Sequence, residues 1–542
     1  MDFKSILFIL MVLLILSCSR GAEQEHDPDR VWKPDATSAF EVGTQIRPWT
    51  IHDEGMDYIL DNMQSMAGVN DVYIIVVMHE EHRPFNAPEF PHNPARDIFD
   101  AEDSRVSFFP DWERYGEIKP LLSDHDWIRE TDWLQLVIDS CRARGMSVGT
   151  EISHFPIPKS MIRKHPGWQQ KTIDGETWND ARFCPNNPVT TEYVVALFGD
   201  IAANYDVDYI QTCQLIYNNL DINEGGTCFC EHCIAKAKAK GFDLEAAIPV
   251  LKKDKNAQPE RDQWMAFRIR STTELYRLIS EKIESENPNC HLRFNDVLPW
   301  GSNAEAIDFG MDMAAIAPYL GSLVNQDHTE QLGRVDETFE LRKHWLATNR
   351  ELIGPEMHFV TGIAPRMAAT TELVREGIKV ALAHPARVNG LALKHYDGAS
   401  FSLMRAFKQG MIEGGVKGLQ PTLGMEVEEM ELEGYAPFEQ ELVEEWGVIT
   451  RGTGIARGVF SEPSGKYDIR ITYFDGEDGK STVKLLIEGE EKASFYMDED
   501  TDCWRWRKFE NIRIRKGDEI RLVGIANGTE LAILDFVEYI PR

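Results

Sequence analysis

The sequence predicts an α/β chain in which a (β/α)8 TIM barrel is followed by an all-β sandwich. Three observations carry this. Between residues 40 and 420 a short run rich in Val, Ile, Phe or Tyr gives way to a polar loop and then to a stretch with helical spacing, and the cadence recurs eight times. Beyond 425 the texture changes to short alternating runs separated by DGEDG, GEE and ANGTE, which read as hairpin turns. No Gly-rich phosphate loop follows the first strand, where RPWTIHDEG stands instead, so a doubly wound dinucleotide fold is disfavoured.

The first residues concern export. Lys4 precedes an apolar run from Ile6 to Leu16 that is too short to span a bilayer as a helix and ends in ILSC at Cys18. This box resembles bacterial lipoprotein signals, and the resemblance implies lipidation of Cys18, with Ser19 favouring the outer membrane. Residues 1–18 are then the signal and 19–39 a polar tether. Later in the chain no segment is long and apolar enough to span a membrane. The formal charge of -32, with no basic cluster to offset it, argues against nucleic acid as a partner.

The expected barrel, residues 40–420, has strands at Glu41–Arg47, Asp71–Val77, Ser147–Ile152, Val207–Thr212, Leu292–Phe294, Leu320–Val324, His358–Thr361 and Gly390–Leu393. Helices are expected over Gly55–Met66, Asp132–Arg144, Thr191–Asn204, Leu244–Leu251, Asp262–Glu286, Val335–Thr348, Ala369–Ala383 and Leu403–Ile412. In such a barrel the C-terminal strand ends form the functional face. They carry Arg47 and Trp49, His79, Glu151 and His154, then Gln214, Tyr217 and Asn218. Asn295, Asp296 and Trp300 follow the fifth strand, Asp327 and His328 the sixth, and Lys394, His395 and Asp397 the eighth. Carboxylates, imidazoles and tryptophans at nearly every strand end describe a polar, sugar-sized cleft with aromatic platforms.

Glycosidic cleavage needs one protonated carboxyl to protonate the leaving oxygen and one ionised partner to attack carbon or activate water. The candidates are Asp296, Asp327, Glu224, Glu151 and Asp397, with Asp296 preferred because FNDVLPW sets it beyond a strand beside an aromatic. The histidines lack the close spacing of a catalytic metal site, and no G-x-S-x-G elbow is present. No cofactor is required for this chemistry. Cys228, Cys230 and Cys233 can share one tetrahedral zinc if Cys184 or Cys213 adds the fourth ligand; a disulfide or packed free thiols are the alternatives.

The strand, the polar loop with Asn223 and Glu224, and CFCEHC resemble the barrel of beta-galactosidase family 42 glycoside hydrolases, as does FCPNNP at Phe183–Pro188. The resemblance implies that Cys184, Cys228, Cys230 and Cys233 bind zinc. It also implies an Asn-Glu acid after strand four and a Glu nucleophile after strand seven. This chain departs from both: Glu224 lies well past the strand, and TGIAPRM offers no carboxylate.

Residues 425–542 hold runs such as KYDIRITYF, STVKLLIEG and LAILDFVEYI, expected to form the sandwich. They resemble family 35 or malectin-like carbohydrate-binding modules, which implies structural Ca2+ at Glu431, Glu433 and Asp535 and sugar stacking on Trp504 and Trp506. The whole reads as an envelope glycoside hydrolase acting on an oligosaccharide or polysaccharide. Its rivals are a non-catalytic glycan-binding lipoprotein and a metal-dependent barrel hydrolase.

Overall fold

The computed structural model describes residues 39–78, 90–93, 103–177, 181–218, 226–296, 303–326, 330, 335–365, 368–440, 445–476, 479–499 and 501–542. Of the sequence-derived site residues, Cys18, His79, Glu224, Trp300, Asp327 and His328 lie outside the described residues.

Strands β1 (Glu41–Ile46), β2 (Asp71–Met78), β3 (Ser147–Ile152), β4 (Tyr209–Thr212), β5 (His291–Asp296), β6 (Ser322–Asn325), β7 (His358–Ile363) and β8 (Gly390–Leu393) are all parallel to their neighbours. β1 pairs with both β2 and β8, through Gly43↔Asp71 and Glu41↔Gly390, so the sheet closes into the eight-stranded barrel the sequence predicts. A two-residue strand, Arg105–Val106, adds antiparallel to the end of β2.

The intervening helices are α1 (Met56–Asn62), α2 (Trp133–Ala143), α3 (Pro188–Asn204), α4 (Glu231–Ala239), α5 (Glu260–Glu286), α6 (Val335–Ile353), α7 (Thr371–Ala383) and α8 (Phe401–Glu413), with a further helix at Leu244–Lys253 and short helical segments between them. Their starts are written in the sequence. Asp132, Asn187, Thr370 and Ser400 each accept a hydrogen bond from a first-turn backbone N–H, and Pro188 opens α3 where its missing N–H costs nothing.

Strand alternation divides the barrel into two environments. Val42 and Ile46, Val72 and Ile74, Leu292 and Phe294, and Leu391 and Leu393 face outward, where they join Leu134, Leu197, Ile279, Ile378 and Phe407 of the helices in the main apolar core. The inward positions are largely polar; Val324, Val360 and Ala392 form one small apolar patch among the described residues, and Ile75 forms another with Trp49. Gly149 is an inward glycine for a steric reason: a Cβ at that position would stand 2.2 Å from the Tyr209 ring that crosses the axis.

The second unit holds two antiparallel sheets. Its strands are β9 (Gly424–Glu426), β10 (Glu431–Glu433), β11 (Ala436–Gln440), β12 (Glu445–Thr450), β13 (Thr453–Val459), β14 (Gly465–Asp475), β15 (Ser481–Ile487), β16 (Glu490–Met497), β17 (Cys503–Ile514), β18 (Glu519–Ile525) and β19 (Ala532–Pro541). One sheet runs β11-β12-β19-β14-β17 with β9 on β19, the other β10-β13-β18-β15-β16. The acidic stretch after Gly424 supplies strands: Glu429, Glu431, Glu433 and Glu439 face solvent, while Val427 goes inside.

Trp504 and Trp506 do not stand free for a sugar. Trp504 is buried against Phe438 and Phe474 and belongs to the barrel's apolar core. Trp506 stacks on Tyr58 of α1 at 5.3 Å and donates its indole N–H to Asn62 at 2.7 Å. Two β17 side chains thus form the seam between barrel and sandwich.

Candidate active site

The polar interior of the barrel has two layers. At the floor, the N-terminal end of the strands, the Arg293 guanidinium forms a fork with both carboxylate oxygens of Glu41 at 2.9 Å. It lies 3.6 Å from the centroid of the Tyr209 ring. Tyr209 donates to Asp71 at 2.5 Å, and His358 Nε2 stands 2.7 Å from Glu41. Burial works against ionisation of Glu41, yet Arg293 and His358 hold its pKa well below the usual carboxylate range. Asp71 is pushed the other way, first by burial and then by the neighbouring Glu41 charge.

At the mouth, Glu151 is the penultimate residue of β3 and is buried. One of its oxygens, Oε2, accepts from Gln45 Nε2 at 2.9 Å, Gln211 Nε2 at 2.6 Å and Asn295 Nδ2 at 3.5 Å. Burial raises its pKa; Lys394 and the Gln211 hydrogen bond oppose the rise without cancelling it. Lys394 Nζ lies 2.5 Å from Tyr73 OH, and burial lowers the lysine to about 8. The carbonyl oxygens of Gln45, Gln211 and Asn295 are buried and have no hydrogen-bond partner among the described residues. Such orphan acceptors in a layer that also holds a lysine and a protonatable carboxyl suit a ligand rich in hydroxyl donors.

The lip above this layer is charged. Arg47 and Asp397 form a buried ion pair at 3.2 Å, Thr50 donates to the other Asp397 oxygen at 2.7 Å, and the Arg47 guanidinium sits 5.6 Å from the centroid of Trp49. His154 Nδ1 is 3.3 Å from Cys213 Sγ. Burial pushes that thiol up to about 12, so it stays protonated and serves as a hydrogen-bond partner. Gln214 and His395 are half-buried at the same strand ends.

Several sequence-derived candidates go elsewhere. Asn295, not Asp296, is the inward residue of β5, since it reaches Glu151 and alternation turns Asp296 to the opposite side of the sheet. Tyr217 and Asn218 leave the mouth for the thiol cluster. The Tyr217 hydroxyl accepts from Asn186 Nδ2 at 3.0 Å, and the Asn218 carbonyl accepts from Arg268 at 2.7 Å. Gln45, Tyr73 and Gln211 were not singled out from the sequence. Their signal was parity: Glu41, Gln45 and Arg47, Asp71 and Tyr73, Tyr209 and Gln211, and Arg293 and Asn295 are polar at every second or fourth position within otherwise apolar strands.

Cys184, Cys228, Cys230 and Cys233 do converge. Their sulfurs are all buried and lie within 4.8 Å of one another, with Cys184 at 3.4 Å from Cys230, 3.5 Å from Cys233 and 3.9 Å from Cys228. Four thiolates about 2.3 Å from a tetrahedral zinc stand about 3.8 Å apart, so the donor set and spacing fit that ion. The backbone N–H groups of Lys171 and Asn186 and the Asn186 amide also point at these sulfurs, at 3.4, 3.4 and 3.3 Å, as the outer hydrogen bonds of a metal centre do. Cys213, the other candidate fourth ligand, is instead at the barrel mouth.

The calcium expectation is corrected. Glu431 and Glu433 are exposed on β10, where Glu433 pairs with Arg457 at 2.8 Å, while Asp535 is fully buried on the other sheet. The acids beside Asp535 are Glu426 and Glu428, and Arg405 of α8 enters that group, 3.2 Å from Asp535 and 3.3 Å from Glu426. An arginine from the barrel supplies the positive charge there.

Comparison with known proteins agrees with the barrel. No family model matches the sequence. A probable alpha-glucuronidase A of Aspergillus terreus is 32% identical over 139 residues, 22% of this chain and 16% of the relative. An alpha-glucuronidase of Hypocrea jecorina is 29% identical over 134 residues, with the same shares of 22% and 16%. The chain thus spans about 16% of the length of these curated relatives. Among solved structures, the PgaB (BpsB) glycoside hydrolase domain of Bordetella bronchiseptica aligns with a TM-score of 0.50 at 12% identity, over 70% of this chain and 99% of that one. The fold is glycoside-hydrolase-like. Among the described residues no helix is long and apolar enough to cross a membrane.

Proposed function

We propose that this chain is a glycoside hydrolase acting on an oligosaccharide or polysaccharide, with Glu151 as proton donor. The observation that carries the reading is the environment of Glu151: a buried carboxyl at a C-terminal strand end, raised in pKa, held by three neutral amides and left with one oxygen outside those bonds. A raised pKa favours the protonated form that a leaving glycosidic oxygen needs. Lys394 and the orphan amide carbonyls position sugar hydroxyls around the scissile bond. Asp397 is the described carboxylate at the same mouth, and cleavage requires a second, ionised carboxylate. Glu151→Gln should reduce kcat/KM on any hydrolysed aryl glycoside by a factor of about 100 to 10,000, with the melting temperature nearly unchanged. Wild-type turnover in the variant would remove Glu151 from the mechanism.

A non-catalytic glycan-binding role is the second reading, favoured by one observation: both oxygens of Asp397 are committed, one to Arg47 and one to Thr50. Tight binding across a glycan panel with no hydrolysis by the wild type would select it. In either case the thiol cluster is proposed to hold one structural Zn2+ that pins the Tyr217–Asn218 wall, and Cys18 to anchor the chain in the outer membrane. Elemental analysis should find one zinc per chain. Cys233→Ser should lose it and lower the melting temperature, and an unchanged metal content in that variant would exclude the assignment.

A further inference from the structure

A second cavity lies outside the barrel, behind the thiol cluster and away from the mouth. It encloses about 390 Å3 between α4, α5 and the segment that carries Ala315 and Tyr319. One stripe of α5 forms its wall: Phe267, Arg270, Glu274 and Arg277 follow one another by three, four and three residues and so share a helix face. Lys236 and Lys240 close it from the α4 side.

The charges in this wall do not cancel. Arg277 is bound by Glu274 at 2.7 Å and by Glu281 at 2.6 Å, so the one acid in the lining is already paired. Lys236, Lys240 and Arg270 have no hydrogen-bond or ion-pair partner among the described residues. Glu274 acts on Lys236 and Lys240 only through space, so Lys236, Lys240, Arg270 and Arg277 share one lining acid in a chain of net charge -32. The rest of the lining is Phe267, Ile269, Ala315 and the half-buried Tyr319, with the hydroxyls of Ser271 and Thr273. Electrostatic attraction at the rim, an apolar floor and a hydroxyl-bearing wall describe one class of ligand.

We propose that this cavity is an accessory site for an acidic sugar, with the carboxylate held by Lys236, Lys240 and Arg270 and the ring C–H face against Tyr319. It is independent of the hydrolytic reading, because none of its residues reaches the barrel mouth. It would let a glycan that carries uronate units stay attached while a neutral linkage occupies the mouth. The competing explanation is that these cations merely balance a zinc tetrathiolate behind Cys233.

The test uses the full chain with Glu151→Gln, so that binding is read without turnover and a failure of the hydrolase reading leaves this result standing. Titration calorimetry with D-glucuronate, D-glucose and inorganic phosphate is compared between that protein and the same protein carrying Lys236→Ala and Arg270→Ala. The proposal expects glucuronate to bind at least tenfold more tightly than glucose or phosphate, the double substitution to weaken it at least tenfold, and zinc content to stay constant. Equal binding of glucose, equal binding of phosphate, no glucuronate binding, or glucuronate binding unchanged by the double substitution would each overturn it. Loss of zinc in the substituted protein would do the same, by showing that the cations serve the metal. Should that protein unfold, Arg270→Gln alone, on an exposed side chain, must still weaken glucuronate binding measurably; if it does not, the proposal fails.

Discussion

Two layers of carboxylates share the barrel axis, and the protein treats them in opposite ways. At the floor, Glu41 meets Arg293 and His358, so its charge is answered by charge at 2.9 Å or less, while Asp71 takes a hydrogen bond from Tyr209. At the mouth, Glu151 meets three uncharged amides, and Lys394 directs its hydrogen bond to Tyr73. An ion pair fixes the protonation state of its members, whereas neutral donors in a buried layer leave a carboxyl able to take up and release a proton. Burial of ionisable groups alone therefore does not mark the reactive end of this barrel. The mark is an environment that stops short of neutralising them.

The largest effect expected from breaking this contrast is at the floor. Arg293→Met leaves Glu41 and Asp71 crowded in a dry interior, which costs about 3–5 kcal/mol when one partner of a buried pair is removed. Denaturant unfolding should show it, while the activity of whatever remains folded should be near normal. A loss of turnover without a loss of stability would mean that floor and mouth are not separate in role.

The next effect sharpens the contrast through pH. Burial moves Lys394 from 10.5 to about 8 in the folded chain. A depressed pKa contributes stability that is present above the unfolded value and lost as pH falls through the folded one. Wild-type stability should therefore decline between about pH 10.5 and 8 by about 1.4 kcal/mol per unit and then level off. Lys394→Met should lack that slope in chemical denaturation at pH 8, 9 and 10. A wild-type slope that persists in the variant would assign it to other groups.

The smallest effect is at a single amide. Gln211→Leu removes the shortest donor to Glu151 and should cost about 1–1.5 kcal/mol of stability. Because that bond favours the ionised carboxylate, its loss should raise the Glu151 pKa further and move the alkaline limb of the kcat/KM profile to higher pH. A limb that stays in place would show that another group sets it.

The sequence was most legible where the physics is local and repetitive. All eight barrel strands could be read because β-branched runs recur between helices whose caps, such as Asp132 and Thr370, are single residues acting on the next turn. The site was less legible because strand ends were read by proximity and not by parity. Asp296 and Asn295 are neighbours in sequence, yet only Asn295 shares the inward phase of Arg293, and one step along a strand reverses the face. The thiol cluster came through intact, since three of its members sit in one hexapeptide, whereas the fourth was fixed only by the resemblance. The sandwich tryptophans misled for another reason: an exposed platform and a buried seam use the same residue type, and only long-range packing tells them apart.

That seam makes the sandwich part of the barrel's construction. The Trp504 backbone N–H donates to the His92 carbonyl at 3.0 Å, and its carbonyl accepts from Tyr58 at 3.2 Å. Below them His92 stands 3.3 Å from Glu54, which Tyr396 also contacts at 2.8 Å, directly after the strand that carries Lys394. A chain cut after residue 420 would lose the tryptophans that roof this polar chain and would open it to water. The sandwich therefore works as a keystone: a strand far along the chain completes the wall that joins Tyr58 of α1 to the segment after β8.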